Sequence, residues 1–133
     1  MVRWRWKKIA EGESAGSGGD EAESGGSPYR VAYYNFADEF TSNLKGSDGL
    51  VQLSLAASTR RDGRVLQWLK KHERAIRSAV LVVLADTPEA DVSSPDGKVH
   101  LQKRLTDAIN HVLITNEGFG GIDAVYFKSF LVQ

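Results

Sequence analysis

His100, Arg104, Asp107 and His111 recur at intervals of three or four residues, which brings their side chains to one side of a helix. Asp107 and His111 stand four apart, the interval at which one helix can offer two ligands to a metal ion. A metal site also needs a third and fourth ligand with outer hydrogen-bonding support. The chain has three histidines and no cysteine, so the spacing reads as a solvated helix face and no metal is expected. His72 falls on the apolar side of an earlier helical segment and reads as a core or boundary histidine rather than a base. Gly118-Phe119-Gly120-Gly121 follows a helix instead of opening one, so its glycines serve a cap and a turn, not a phosphate cradle. No serine sits in a nucleophile elbow. The expectation is a protein that is not an enzyme, without catalytic residues or cofactors. One charge pattern does suggest recognition. Lys70, Lys71, Arg74 and Arg77 gather on one side of the earlier helix with only Glu73 to offset them, as a solvated face or as a docking surface for an acidic partner or neighbouring subunit. Lys70, Arg74 and Arg77 are the candidate partner-binding residues.

The whole chain does not share that bias. Lys plus Arg and Asp plus Glu number 17 each over 133 residues, so net charge steers the protein toward neither nucleic acid nor acidic substrates. At 41% hydrophobic residues it can build one modest core, and without cysteine that core has no disulfide to support it. The longest apolar run, Ala79 to Ala85, is far short of the ~20 residues that span a bilayer, and the start lacks the apolar stretch of a signal peptide. The amino end divides in two. Met1 to Lys8 (MVRWRWKK) interleaves arginine and lysine with Trp4 and Trp6, a mix suited to lipid headgroups and also to nucleic acid. Glu11 to Ser27 holds six Gly, four Ser, two Ala and five acidic residues, and reads as a flexible, self-repelling tether. Residues 1–28 are thus expected to precede a single domain over 29–133.

Within 29–133 the elements that must position these side chains follow the order sheet, helix, helix, sheet. Tyr29 to Leu44 is aromatic and β-prone, Lys45-Gly46-Ser47-Asp48-Gly49 is a turn sequence, and Leu50 to Thr59 alternates Val51, Leu53 and Leu55 imperfectly with Gln52, Ser54 and Ala56. Together they predict a hairpin. Asp62 to about Leu84 reads as one helix, with Asp62 as N-cap and Val65, Leu69, His72, Ile76, Ala79 and Val83 on its inner side. Trp68 and Val80 widen that side, and the apolar last turns require cover from two directions. Ser94 as N-cap, Pro95 at the first helical position and Asp96 in the first turn open a second helix. Leu101, Leu105, Ala108, Ile109 and Val112 share one arc of it, and Gly118 ends it in the left-handed region. A final strand, Val125 to Gln133, is expected to turn Val125, Phe127 and Leu131 to the core and Tyr126, Lys128 and Phe130 away. The fold class is α+β: an antiparallel sheet of at least three strands, the hairpin plus the C-terminal strand, with two amphipathic helices packed on one face.

These pieces, in this order, resemble the periplasmic domain of the FliL family, the flagellar basal-body-associated proteins. The resemblance runs over roughly Phe36 to Gln133. It rests on Glu39-Phe40-Thr41-Ser42-Asn43-Leu44 ahead of the glycine turn, Ala75-Ile76-Arg77-Ser78-Ala79-Val80 in the first helix, Ser94-Pro95-Asp96-Gly97-Lys98 with Leu101 opening the second, Ile109-Asn110 near its end, and the terminal VYFKSFLVQ. The resemblance implies a stomatin-like fold and a non-enzymatic role. The domain would be inner-membrane-associated and periplasm-facing at the flagellar basal body, self-associating into an oligomer or ring and docking on stator or motor proteins in support of torque, motility, chemotaxis or swarming. Family members carry a transmembrane helix ahead of their linker, whereas MVRWRWKK stands there in this sequence, which reads either as a chain whose upstream helix, the only expected attachment to the membrane, was removed or as a divergent soluble member. Ser78, where the family often has an acidic residue, and Gly97 in the first helical turn are lesser departures. The alternative is a soluble binding module that uses the basic stripe and the N-terminal Trp and Arg residues on nucleic acid or an acidic partner, although no nucleic acid is expected at zero net charge.

Overall fold

The computed structural model describes residues 31–60 and 63–133, so the proposed tether over 1–28 and the Asp62 N-cap lie outside the described residues. Four strands and four helices follow in the order β1 (Ala32–Asn35), β2 (Phe40–Asn43), β3 (Leu50–Thr59), α1 (Arg64–Lys71), α2 (Glu73–Ala85), α3 (Ala90–Ser93), α4 (Pro95–Glu117) and β4 (Ala124–Val132). The α+β class holds, with an antiparallel sheet built around β3.

Along one edge of β3 runs β4, and along the other run β2 against its first half and β1 against its second. The predicted strand through Tyr29 to Leu44 is therefore two strands. Asn35 faces Ala56 and Phe40 faces Leu53, so residues 36–39 stand opposite residues 54 and 55 alone. Phe36 explains the interruption. Its side chain is buried and its amide still donates to the Leu55 carbonyl at 3.1 Å, while residues 37–39 swing outward as a bulge. The predicted turn closes β2 onto β3, with Gly46 at φ 70° and the Leu44 amide donating to the Gly49 carbonyl at 2.9 Å. Val51, Leu53, Leu55 and Ala57 alternate along β3 into the core, and all four are fully buried.

The predicted helix from Asp62 to Leu84 is two helices. The chain turns at His72 (φ −105°, ψ 22°), where consecutive side chains are engaged by different elements, His72 by Glu117 at the end of α4 and Glu73 by Tyr34 on β1. The inner row of Val65, Leu69, Ile76, Val80 and Leu84 stays buried across the break. Cover for α2 comes from β2 and α4, leaving Val82 67% exposed. The second predicted helix is α4. Ser94 Oγ accepts the Gly97 amide at 3.0 Å, Pro95 opens the first turn, and Gly118 at φ 81° caps the end. The short α3 packs so closely on that first turn that a Cβ at Gly97 would lie 2.6 Å from Asp91 Cα. Glycine at 97 thus serves the contact between two helices.

The last strand corrects the predicted alternation. Val125 and Phe127 are buried as expected, but the register breaks: Leu55 faces Phe127 while Ser54 faces Ser129, so Lys128 is an extra residue. Beyond such a bulge the side-chain phase inverts. Phe130 accordingly turns inward against Phe127, ring centroids 5.0 Å apart, and Leu131 is 51% exposed.

Candidate functional site

The basic stripe along α1 and α2 separates into side chains used by the fold and side chains left for other contacts. Arg77, predicted to point outward with Lys70 and Arg74, is folded back onto the bulge between β1 and β2. Its guanidinium donates to the carbonyls of Asp38 (2.9 Å) and Glu39 (3.2 Å) and lies 4.0 Å from the centre of the Phe40 ring. Glu73, one turn earlier, grips the same bulge, accepting the Tyr34 hydroxyl at 2.6 Å and the Ala37 amide at 3.3 Å. Burial, then the Glu73 carboxylate, push the Tyr34 phenol up to about 12. Lys71 reaches Glu117 Oε2 at 3.2 Å, and His72 Nε2 meets the same oxygen at 2.6 Å. The hydrogen bond from His72, reinforced by Lys71, holds the Glu117 carboxyl below the usual carboxylate range. Lys70 and Arg74 remain exposed, and neither enters an ion pair with another described residue. They stand four apart across the break at His72.

On α4, three of the four residues on that polar side have other partners. Arg104 donates to Thr87 Oγ1 (3.1 Å) and to the Val83 carbonyl (3.4 Å) in the last turn of α2, where a cation complements the helix dipole. It also sits within 3.7 Å of Asp86 and 4.0 Å of Asp91. His100 lies 3.8 Å from Asp91, Asp107 pairs with Lys103 at 3.4 Å, and His111 is exposed. Among the described residues no group of three or more His, Cys, Asp or Glu could hold a metal ion. His72 is the boundary histidine expected of it, its side chain 16% exposed.

The sequence reading missed a polar row that α4 presents to the start of β4. Gln102 donates to the Val125 carbonyl, Thr106 Oγ1 accepts the Val125 amide at 3.1 Å, and Asn110 both accepts from and donates to Ile122 at 3.0 and 3.1 Å. These residues satisfy backbone groups that β3 does not reach. The available signal was their spacing of four, an amide, a hydroxyl and an amide bordering the buried row of Leu101, Leu105 and Ile109.

These features define a helix-backed antiparallel-sheet domain whose polar side chains serve mainly to join its elements, with a charged flank on its first helices. Residues 33–133 match the family described as flagellar basal body-associated protein FliL. The chain belongs to that family. It is 33% identical over 96 residues to a flagellar protein FliL of Bacillus subtilis (strain 168), a match covering 72% of this chain and 64% of the relative. It is 26% identical over 101 residues to a flagellar protein FliL of Aquifex aeolicus (strain VF5), covering 75% and 60%. The chain thus spans somewhat under two thirds of the length of these relatives. The family's description is that of a flagellar accessory protein and not of an enzyme.

Proposed function

We propose that this chain is a non-enzymatic docking domain of the flagellar basal body, periplasm-facing and associated with the inner membrane, which meets stator units or neighbouring copies of itself and supports torque, motility or swarming. Family membership supports the flagellar setting. No described helix is long and apolar enough to cross a membrane, so membrane association rests on chain outside the described residues. The observation that carries the docking reading is the division of the basic stripe: Arg77, Lys71 and Glu73 hold the fold together, whereas Lys70 and Arg74 are exposed. Complementary charge across such a surface steers association and sets register. Lys70 and Arg74 are therefore the docking residues, with Arg77 shaping the flank from beneath.

Charge reversal tests this. Lys70→Glu with Arg74→Glu should leave the melting temperature nearly unchanged, because exposed charges contribute only ~0–1 kcal/mol each to stability. Swimming of a complemented strain and co-purification with stator proteins should both fall. If motility and co-purification survive in a stably folded variant, these residues are solvated cations and the docking surface lies elsewhere.

A further inference from the structure

Strand β3 is paired along both edges, so the free edge on one side of the sheet belongs to β4. Leu50 and Gln133 exchange both main-chain hydrogen bonds, at 3.0 and 2.8 Å. Bonding alternates along an antiparallel pair, so Leu131, opposite Gln52, also faces β3, whereas Phe130 and Val132 aim their amides and carbonyls away from the sheet. At the start of β4 the corresponding outward groups, those of Val125, are taken up by Gln102 and Thr106 on α4. Past the bulge at Lys128, no described residue takes up those of Phe130 or Val132. Three apolar side chains are exposed at this corner: Leu131 (51%), Leu50 (38%) and Val132 (37%). Leu50 and Leu131 both lie on the face turned away from the helices, since Val51 and Leu53 point into the core. An edge with unused main-chain groups accepts another extended chain.

We propose that residues 129–133 of β4 pair antiparallel with the same residues of a second copy of this chain, about a two-fold axis at Leu131. In that register Phe130 of each copy faces Val132 of the other and exchanges both hydrogen bonds with it, and the two Leu131 side chains meet beside Leu50. Self-complementarity selects the occupant. Ser129 to Gln133 carries no charge, so two copies meet there without like charges opposed. Lys128 projects from the bulge outside the paired stretch, and Lys98 is drawn over the Phe130 ring, 4.9 Å from its centre, on the face that carries the helices. A charged bulge ends edge pairing, which confines the contact to the residues beyond it. An axis normal to the sheet keeps both helix layers on one face, so the sheet continues from one copy into the next. The contact deepens the reading that copies of this domain meet, and it uses a surface other than Lys70 and Arg74.

Sedimentation velocity of the full chain at rising concentration should show monomer passing to dimer. Val132→Pro removes an outward amide and spares the ladder to β3, so its melting temperature should stay near the parent's while dimerisation weakens roughly tenfold or more. Leu131→Cys gives a chain without other cysteine a single thiol on the axis, where opposed residues of a non-hydrogen-bonded pair stand about 4.5 Å apart, close enough for a disulfide. Under mild copper-phenanthroline oxidation it should cross-link many times faster than Val82→Cys, an equally solitary and more exposed thiol on α2. If Val132→Pro fails to fold, the cross-linking comparison decides alone. Lys70→Glu with Arg74→Glu should leave the dimer intact, so a failure of the docking flank and a failure of this edge show separately. A chain that stays monomeric throughout, a dimer that survives Val132→Pro, or equal cross-linking at the two thiols would overturn the proposal.

Discussion

The two long helical stretches, α1–α2 and α4, meet the sheet by different chemistry. The α4 helix runs unbroken from a hydroxyl cap to a left-handed glycine, and its polar row of Gln102, Thr106 and Asn110 bonds backbone at the start of β4. Its contacts are buried or half-buried and address amides and carbonyls that have nowhere else to go. By contrast, α1 and α2 break at His72 and, beside their buried apolar row, make their polar attachments largely through charged or titratable side chains, Glu73 and Arg77 to the bulge and Lys71 and His72 to Glu117. Buried backbone partners are costly to remove, whereas partly exposed charges contribute little and depend on solution conditions. The polar row of α4 is therefore the attachment that salt and pH leave alone, and the charged contacts of the α1–α2 side are the ones that conditions can modify.

The severest way to break that comparison is to remove residues 124–133. This takes away the partner of β3 along one whole edge together with buried Val125 and Phe127, a loss beyond the ~5–15 kcal/mol that holds a domain folded. The truncated protein should show no cooperative melt by circular dichroism; a soluble, cooperatively melting product would mean that the α1–α2 side holds the fold unaided. A milder probe is Asn110→Ala, which leaves the Ile122 amide and carbonyl without their partner and should cost about 2 kcal/mol or more in urea denaturation. Its neighbour Asp107→Ala should cost under ~1 kcal/mol, because only an exposed pair with Lys103 is lost. Within the basic stripe, Arg77→Ala should cost roughly 1–2 kcal/mol and Arg74→Ala nearly nothing, so equal losses at the two positions would contradict the division drawn between them. The smallest effect is one of pH. Glu117 has its carboxyl lowered from 4.5, so it stabilises the folded state above that value and the contribution fades as pH falls through the lowered one. Urea midpoints of Glu117→Gln and the parent should accordingly differ at neutral pH and converge in acid. A gap that persists in acid would show that Glu117 acts by packing and not by charge.

What the sequence made legible was local. Ser94, Pro95 and Gly118 announce the ends of α4 because caps act within a turn of the residues that form them. Lys45 to Gly49 announces the hairpin because its glycine must adopt a positive φ. The corrections all involve partners distant in the chain. Phe36 leaves the edge strand because a core built by later residues accepts it, and His72 interrupts a good helical pattern because Glu117 stands 45 residues away. Lys128 bulges where β4 meets β3, which no alternation within the strand reveals. Arg77 sits in the same charge stripe as Lys70 and Arg74, and only the bulge carbonyls distinguish it. Periodicity thus recovered the buried faces of the helices and of β3, but neither the phase of β4 beyond its bulge nor which exposed-looking cations were already engaged.

The two-part edge strand has a mechanical consequence. Tension applied at residue 31 would be borne first by β1, four residues laid antiparallel on the far end of β3. Pulled from residue 31, its rungs open one after another, as a zipper does, each taking little force. The opening then meets Phe36, seated in the core, and residues 37–39, clasped to α2 by Glu73 and Arg77. Beyond them β2 is loaded only after that clasp yields. A pull applied at residue 31 would thus free the few residues of β1 before it met the interruption between β1 and β2, where the core and α2 hold the chain.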